Sequence, residues 1–167
     1  SLYYEYNATG DLLTLKFGSE LQSEMRYDSL GRKTSMWDAD KGGANNKAWS
    51  YSYNALGELV EQIDAKGQKV ITYRDRLGRT IKRLDINASG AVTADQRWTY
   101  NNTASLTEYG YDVGKLTKEI DHVSGYEVNY NYDDIGRLDQ ALTYIDDELY
   151  ITETIFDSYG RVLRQYD

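Results

Sequence analysis

A short motif recurs along this chain: an aromatic or aliphatic residue, then Asp or Asn, then Gly three positions later. A chain punctuated at so short a period buries apolar surface by laying brief strands side by side. The clearest copy is Tyr132-Asp133-Asp134-Ile135-Gly136-Arg137-Leu138. Asp133 stands where a turn wants a short side-chain acceptor, and Gly136 stands where the backbone needs a positive φ to re-enter a strand. Before the motif, Tyr126, Val128, Tyr130 and Tyr132 alternate with Glu127, Asn129 and Asn131. After it, Leu138, Gln140, Leu142 and Tyr144 are expected to share one face. The unit reads as strand, turn, strand.

Other strong copies are Tyr27-Asp28 with Gly31-Arg32, Tyr53-Asn54 with Gly57, Asp75 with Gly78-Arg79, and Phe156-Asp157 with Gly160-Arg161. Weaker ones are Tyr6-Asn7 with Gly10, Ile63-Asp64 with Gly67, Ile86-Asn87 with Gly90, Tyr111-Asp112 with Gly114, and Asp121 with Gly125. Where successive glycines lie about twice as far apart, Gly18-Ser19, Lys41-Gly42-Gly43, Asn101-Asn102 and Asp146-Asp147 supply the intervening turns. The expected fold is all-β, an antiparallel meander of about fifteen short strands. It occupies residues 1–167 as a single repeat segment. The chain begins without Met and ends on a partial copy, Tyr166-Asp167, so it reads as a piece of a longer protein.

Composition says what can hold such strands together. Leu, Ile, Val and Phe make up only about a fifth of the residues, near the level of disordered chains. The 17 Tyr and three Trp must supply the missing apolar area. Each such ring buries ~150–250 Å² while keeping a polar tip for water or a hydrogen bond. Tyr-rich faces suit half-wet sheets.

The same counts narrow the function. There is no Cys, hence no disulfide, thiol nucleophile or thiolate metal site. The net charge is −8 with Lys and Arg dispersed, which argues against a nucleic-acid partner. No apolar run approaches the ~20 residues of a membrane-spanning helix. Asp38, Asp40, Asn45 and Asn46 faintly resemble a calcium loop, but Trp49 stands where the closing Glu belongs, so a solvated turn is expected. The single His122 neighbours Asp121 and Ser124 in a turn; adjacent turn residues point apart, and a triad needs convergent ones. No catalytic residue, metal ligand or cofactor site is expected. Arg32, Arg79, Arg137 and Arg161, each just after a turn glycine, are expected to pair with turn Asp residues of adjacent repeats or to stack on Tyr rings.

The Tyr-Asp-x-x-Gly-Arg-Leu pattern at Tyr132 to Leu138, with its copies at Tyr27 to Arg32 and Phe156 to Val162, resembles the YD repeats of the Rhs family. The resemblance runs over essentially the whole chain. It implies a β-sheet that curves or spirals as an arc of a hollow shell. In bacterial toxin complexes and polymorphic toxins such shells enclose a toxic C-terminal segment, and in teneurins a similar shell belongs to a cell-adhesion receptor. By that resemblance this segment is shell wall, not catalyst. Its partners would be neighbouring repeats of the parent protein, an enclosed polypeptide cargo or further copies of itself. It would be secreted or displayed at a cell surface. The family's terminal segment with self-cleaving aspartates has no counterpart here, so no autoprotease is carried over.

A reading from another class is a carbohydrate-binding or adhesion module, since Tyr and Trp flanked by Asn, Asp and Gln form surfaces that stack sugar rings. A ligand module would gather its aromatics at one site, whereas here they track every strand. About fifteen strands at ~4.8 Å spacing give roughly 70 Å of sheet, too little to close a chamber alone. Free strand edges would also favour self-association.

Overall fold

The computed structural model describes residues 1–40, 48–101 and 113–166. Among them are fourteen strands, antiparallel and hydrogen-bonded in sequence order as an open sheet. They are β1 (Leu2–Tyr6), β2 (Leu12–Phe17), β3 (Glu20–Tyr27), β4 (Lys33–Asp38), β5 (Trp49–Tyr53), β6 (Leu59–Ile63) and β7 (Lys69–Arg74). There follow β8 (Thr80–Ile86), β9 (Val92–Tyr100), β10 (Leu116–Asp121), β11 (Glu127–Tyr132), β12 (Leu138–Ile145), β13 (Glu148–Phe156) and β14 (Val162–Tyr166). The all-β meander expected from the motif spacing is the fold observed. Contacts group the chain into two compact units, Ser1–Tyr73 with Leu84–Thr93, and Arg74–Arg83 with Ala94–Asp167.

Each motif closes a hairpin in the same way. The backbone N–H of Asp133 donates to the Arg137 carbonyl at 2.8 Å and that of Gly136 to the Asp133 carbonyl at 2.9 Å. Equivalent pairs recur at Asn7, Asp28, Asn54, Asp64, Asp75, Asn87 and Asp157. Gly136 has φ 82°, a left-handed value that side chains with a Cβ resist.

The hairpin at Tyr132 also carries a β-bulge. Tyr132 faces Leu138, but Asn131 faces Gln140, so Asp139 is the extra residue. The same shift follows Tyr6, Tyr27, Tyr53 and Phe156. At Thr34 and Thr117, both extra residues, the hydroxyl donates back across the hairpin to the carbonyls of Arg26 and Thr99 at 3.2 Å each. This corrects the reading of one face for Leu138, Gln140, Leu142 and Tyr144. The extra residue resets the alternation, so Leu138 pairs with Tyr132 while Leu142 and Tyr144 pair with Asn129 and Glu127.

A second correction concerns Gly114. It was expected to close a turn from Tyr111-Asp112, which lie outside the described residues. Its N–H instead donates to the carbonyl of Asn101 at 2.6 Å, and the Asn101 N–H donates to Lys115 at 3.0 Å. Tyr100-Asn101 and Gly114-Lys115 are thus the two halves of one motif, with residues 102–113 between them where other copies have two residues. Replacing 102–113 by Ala-Leu should leave the sheet intact. A shorter connection costs less closure entropy, by about 1 kcal/mol, so the urea midpoint is expected to rise; a fall would show that the intervening residues support the sheet.

Burial is shallow, as expected where each strand has neighbours only beside it. Among the described residues only Ala65, Val128 and Ser23 are buried. The Tyr-bearing strands β3, β5 and β11 are mostly half-buried, whereas β1 and β14 are exposed along their whole length. The turn at Asp146-Asp147 joins β12 to β13 with φ of 50° and 64°, a pair of left-handed residues suited to a tight hairpin. The turn expected at Lys41-Gly42-Gly43 lies outside the described residues, as do Asn45 and Asn46. Asp38 accepts the Asp40 N–H at 3.0 Å, closing a local turn.

Candidate functional site

The motif turns joining β1 to β2, β3 to β4, β5 to β6 and their successors all fall on one edge of the meander, because successive hairpins alternate edges. That edge gathers the residues singled out from the sequence. In each copy one carboxylate or amide oxygen organises the loop. Asp133 Oδ1 accepts the N–H of Ile135 at 3.1 Å and of Arg137 at 2.7 Å. Asp28, Asp75 and Asp157 do the same for Leu30 and Arg32, Leu77 and Arg79, and Tyr159 and Arg161. Asn54 Oδ1 holds Leu56 and Glu58 likewise.

The second oxygen meets the arginine four residues on. Arg32 Nε lies 2.6 Å from Asp28 Oδ2, Arg137 Nε 2.6 Å from Asp133 and Arg161 Nε 2.8 Å from Asp157; Arg79 Nη2 lies 2.6 Å from Asp75. Each arginine therefore pairs within its own turn, not with an adjacent repeat as expected. The geometry explains why: Nε reaches the carboxylate four residues back, and the rest of the guanidinium points onward. Copies with Asn use the opposite polarity. Asn7 Nδ2 donates to Asp11 at 2.8 Å and Asn54 Nδ2 to Glu58 at 2.7 Å. In these six copies an acid partners Arg and an amide partners an acid, a complementarity visible in the sequence once the spacing of four is known.

The stacking half of the expectation is met. Arg32 sits 4.9 Å from the ring centre of Tyr53, Arg79 4.2 Å from Tyr100 and Arg137 4.2 Å from Phe156, each ring belonging to the next motif on that edge. Lys115 lies 4.8 Å from the Tyr132 ring in the same relation. Arg32 Nη1 also donates to the Asn54 carbonyl at 3.3 Å, and Arg79 Nη1 to the Gly114 carbonyl at 2.8 Å. The tyrosines answer through their hydroxyls. Tyr27 donates to the Leu12 carbonyl at 3.1 Å, Tyr53 to Lys33 at 2.8 Å and Tyr132 to Leu116 at 2.7 Å. Rings and cations interlock one motif with the next.

Electrostatics follow from this wiring. Asp28 is held below the ordinary carboxylate range chiefly by the Arg32 backbone N–H, against opposing burial. Asp157 is lowered in the same way by the Arg161 N–H, with Arg137 of the preceding motif adding its charge. At Asp75 and Asp133 burial pushes upward most strongly, but the combined hydrogen bonds from Arg79 and Arg137 outweigh it. These acids stay ionised as structural anchors.

Phe156 is the one aromatic of this series without a hydroxyl. Phe156→Tyr should add the missing donor toward the Leu138 carbonyl, by analogy with Tyr132 and Leu116, and raise stability by about 0.5–1.5 kcal/mol. Urea unfolding at neutral pH reads the change, and an unchanged midpoint would show that the hydroxyl link does not extend to the last motif.

Away from this edge, a pocket of about 310 Å³ is lined by Trp49, Gln62, Gln68, Val70, Asp85 and Thr93, among others. The Trp49 indole N–H is buried without a hydrogen-bond partner. Periodicity gave no hint of this site, since it is assembled by turns and strand ends distant in sequence. His122 lies in the turn from β10 to β11, where its backbone N–H donates to the Asp95 carbonyl at 2.9 Å. Ser124 Oγ accepts the Tyr126 N–H at 3.3 Å within that turn. No cluster of three or more His, Asp or Glu suited to a metal ion occurs among the described residues.

Compared with family models and with curated proteins, the chain finds no match. Among solved structures it is similar to the crystal structure of TcdB2-TccC3, with TM-score 0.52 and 14% identity over 96% of this chain and 10% of that one. The crystal structure of TcdB2-TccC3-Cdc42 matches with TM-score 0.53, 14% identity and the same coverage. The likeness is one of fold, and the chain spans about a tenth of the length of those proteins.

Proposed function

We propose that this YD-repeat chain is a structural wall segment of an Rhs-like shell that encloses a polypeptide cargo in a longer protein. The observation that carries the reading is the interlocked motif edge. Its repeated charged groups are engaged with their own turns and with the next motif, as befits a scaffold rather than a reaction centre. The fold likeness to TcdB2-TccC3 over nearly the whole chain is consistent with it. On this reading residues 1–167 act as one repeat segment, hold no cofactor and catalyse nothing, and the parent protein is secreted or displayed at a cell surface.

Limited proteolysis of the parent protein tests the proposal. A downstream segment should resist protease in the intact protein and become sensitive when Arg79→Ala and Arg137→Ala loosen the edge. A parent in which no segment is protected would overturn it.

The pocket at Trp49 favours a second reading, a carbohydrate-binding surface. It brings the Trp49 indole together with the amides of Gln62 and Gln68, groups suited to a sugar ring and its hydroxyls. Titration with neutral mono- and oligosaccharides, followed by tryptophan fluorescence, decides it. Saturable quenching lost in Trp49→Leu would favour the sugar reading, and no response up to about 10 mM, a weak affinity of only a few kcal/mol, would exclude it.

A further inference from the structure

Six of the seven turns on the motif edge carry an apolar residue immediately before glycine: Leu30, Leu56, Leu77, Val113, Ile135 and Tyr159, with Thr9 the exception. Five of these are the most exposed large apolar side chains among the described residues, Leu30 at 74%, Leu56 at 77%, Leu77 at 76%, Ile135 at 67% and Tyr159 at 84%, while Val113 is at 51%. The turn itself does not ask for them. On the opposite edge the turns starting at Asp64 and Asn87 make the same hydrogen bonds with Lys66 and Ser89 in that position. The turn starting at Asp121 places Ser124 before its glycine. The motif edge therefore exposes apolar tips at 67–84% in five turns, whereas the opposite edge carries Lys66, Ser89 and Ser124 before three of its glycines and exposes Phe17 at 59% and Val123 at 52%.

We propose that the motif edge of the second unit, with Leu77, Val113, Ile135 and Tyr159, is an association surface whose occupant is the same edge of a second copy of this chain. Period is the first argument. Successive turns on one edge lie two strands apart, about 9.6 Å at the usual strand spacing. Within the second unit Leu77, Val113, Ile135 and Tyr159 come from four successive turns of that edge. A partner that presents an apolar group to each tip must share that period, and a second copy does. Charge is the second argument. Behind the tips the acids and arginines are already paired, Asp75 with Arg79, Asp133 with Arg137 and Asp157 with Arg161, so like edges meet without net repulsion. Two identical rows running in opposite directions form an isologous, closed pair, which ends growth at the dimer. The inference does not depend on the shell reading, because it concerns only this chain and its copy.

Sedimentation equilibrium over roughly a hundredfold concentration range, about two decades in the association equilibrium, tests it. The wild-type chain is expected to shift from monomer toward dimer. Leu77→Ser/Ile135→Ser/Tyr159→Ser should remain monomeric at every concentration while keeping the wild-type urea midpoint. The single variants Leu77→Lys and Ile135→Lys should each weaken the dimer at least tenfold, which keeps the test sound if the triple variant does not fold. A control with Tyr3→Lys and Leu163→Lys, in the edge strands β1 and β14, should dimerise as wild type does. A wild-type chain monomeric throughout, or a dimer lost in the edge-strand control but kept in the tip variants, would overturn the proposal.

Discussion

Gly136→Val should lower unfolding stability by about 2–3 kcal/mol, whereas Ile135→Val next to it should change stability by less than about 0.5 kcal/mol. The difference comes from backbone conformation rather than lost contacts. Gly136 has φ 82°, and a β-branched side chain at such a value drives its Cβ against the backbone of its own turn. Moving out of that region breaks the bond from its N–H to the Asp133 carbonyl and disturbs the Arg137 N–H held by Asp133 Oδ1. Ile135 is 67% exposed, so a methylene lost there changes little buried surface. Urea titrations of the two variants at pH 7 give the comparison. Coinciding midpoints would mean that Gly136 does not occupy the left-handed turn position.

Acid should unfold the chain cooperatively below about pH 4, the region where ordinary carboxylates protonate. Asp28, Asp75, Asp133 and Asp157 all bind their protons less tightly folded than unfolded, and so do Asp11, Asp95, Glu5 and Glu127. A lowered folded value makes the unfolded chain the better proton acceptor, so stability falls as pH falls. The contribution is complete above the unfolded carboxylate values and is lost as pH drops through the folded ones. The chain has a single His and no Cys, so few side chains have an ordinary titration range between pH 5 and 8. The thermal midpoint should therefore be flat over that range and drop steeply below it. Replacing all four motif acids by Asn keeps the Oδ1 acceptor for both backbone N–H groups, as Asn54 already does, but removes the titrating charge. That variant should begin less stable at pH 7 and lose less on acidification. An equally steep acid transition would place the pH dependence outside the motif turns.

Most of the fold was legible because the motif punctuates the chain where the backbone must turn. Leu2–Tyr6 and Leu12–Phe17 were readable as the opening hairpin, since Asn7 and Gly10 mark the turn and the flanking residues favour strands. The bulges at the Tyr6, Tyr27, Tyr53, Tyr132 and Phe156 hairpins were not legible from alternation. An extra residue such as Asp139 carries no compositional mark, and its effect shows only in the partner register. Gly114 was misassigned because proximity in sequence favoured Asp112, while the bond that closes the turn comes from Asn101. The arginines were read correctly as stacking groups and incorrectly as cross-repeat ion pairs. Composition shows that a cation and an acid recur, and only the path of the side chain shows that Nε turns back to its own turn while the guanidinium face goes forward. The apolar tips were visible as letters, but their meaning depends on exposure and on which edge each turn occupies.

The account rests on successive motifs being energetically linked, so that the repeated Arg acts as a tie and not as decoration of isolated turns. A double-mutant cycle between Arg137 and Phe156 tests that link most directly, because the two stack at 4.2 Å and belong to successive motifs. Arg137→Ala, Phe156→Leu and the double variant are compared by urea unfolding at pH 7. The account expects a favourable coupling of about 0.5–1 kcal/mol. Effects that add to within about 0.3 kcal/mol would contradict it.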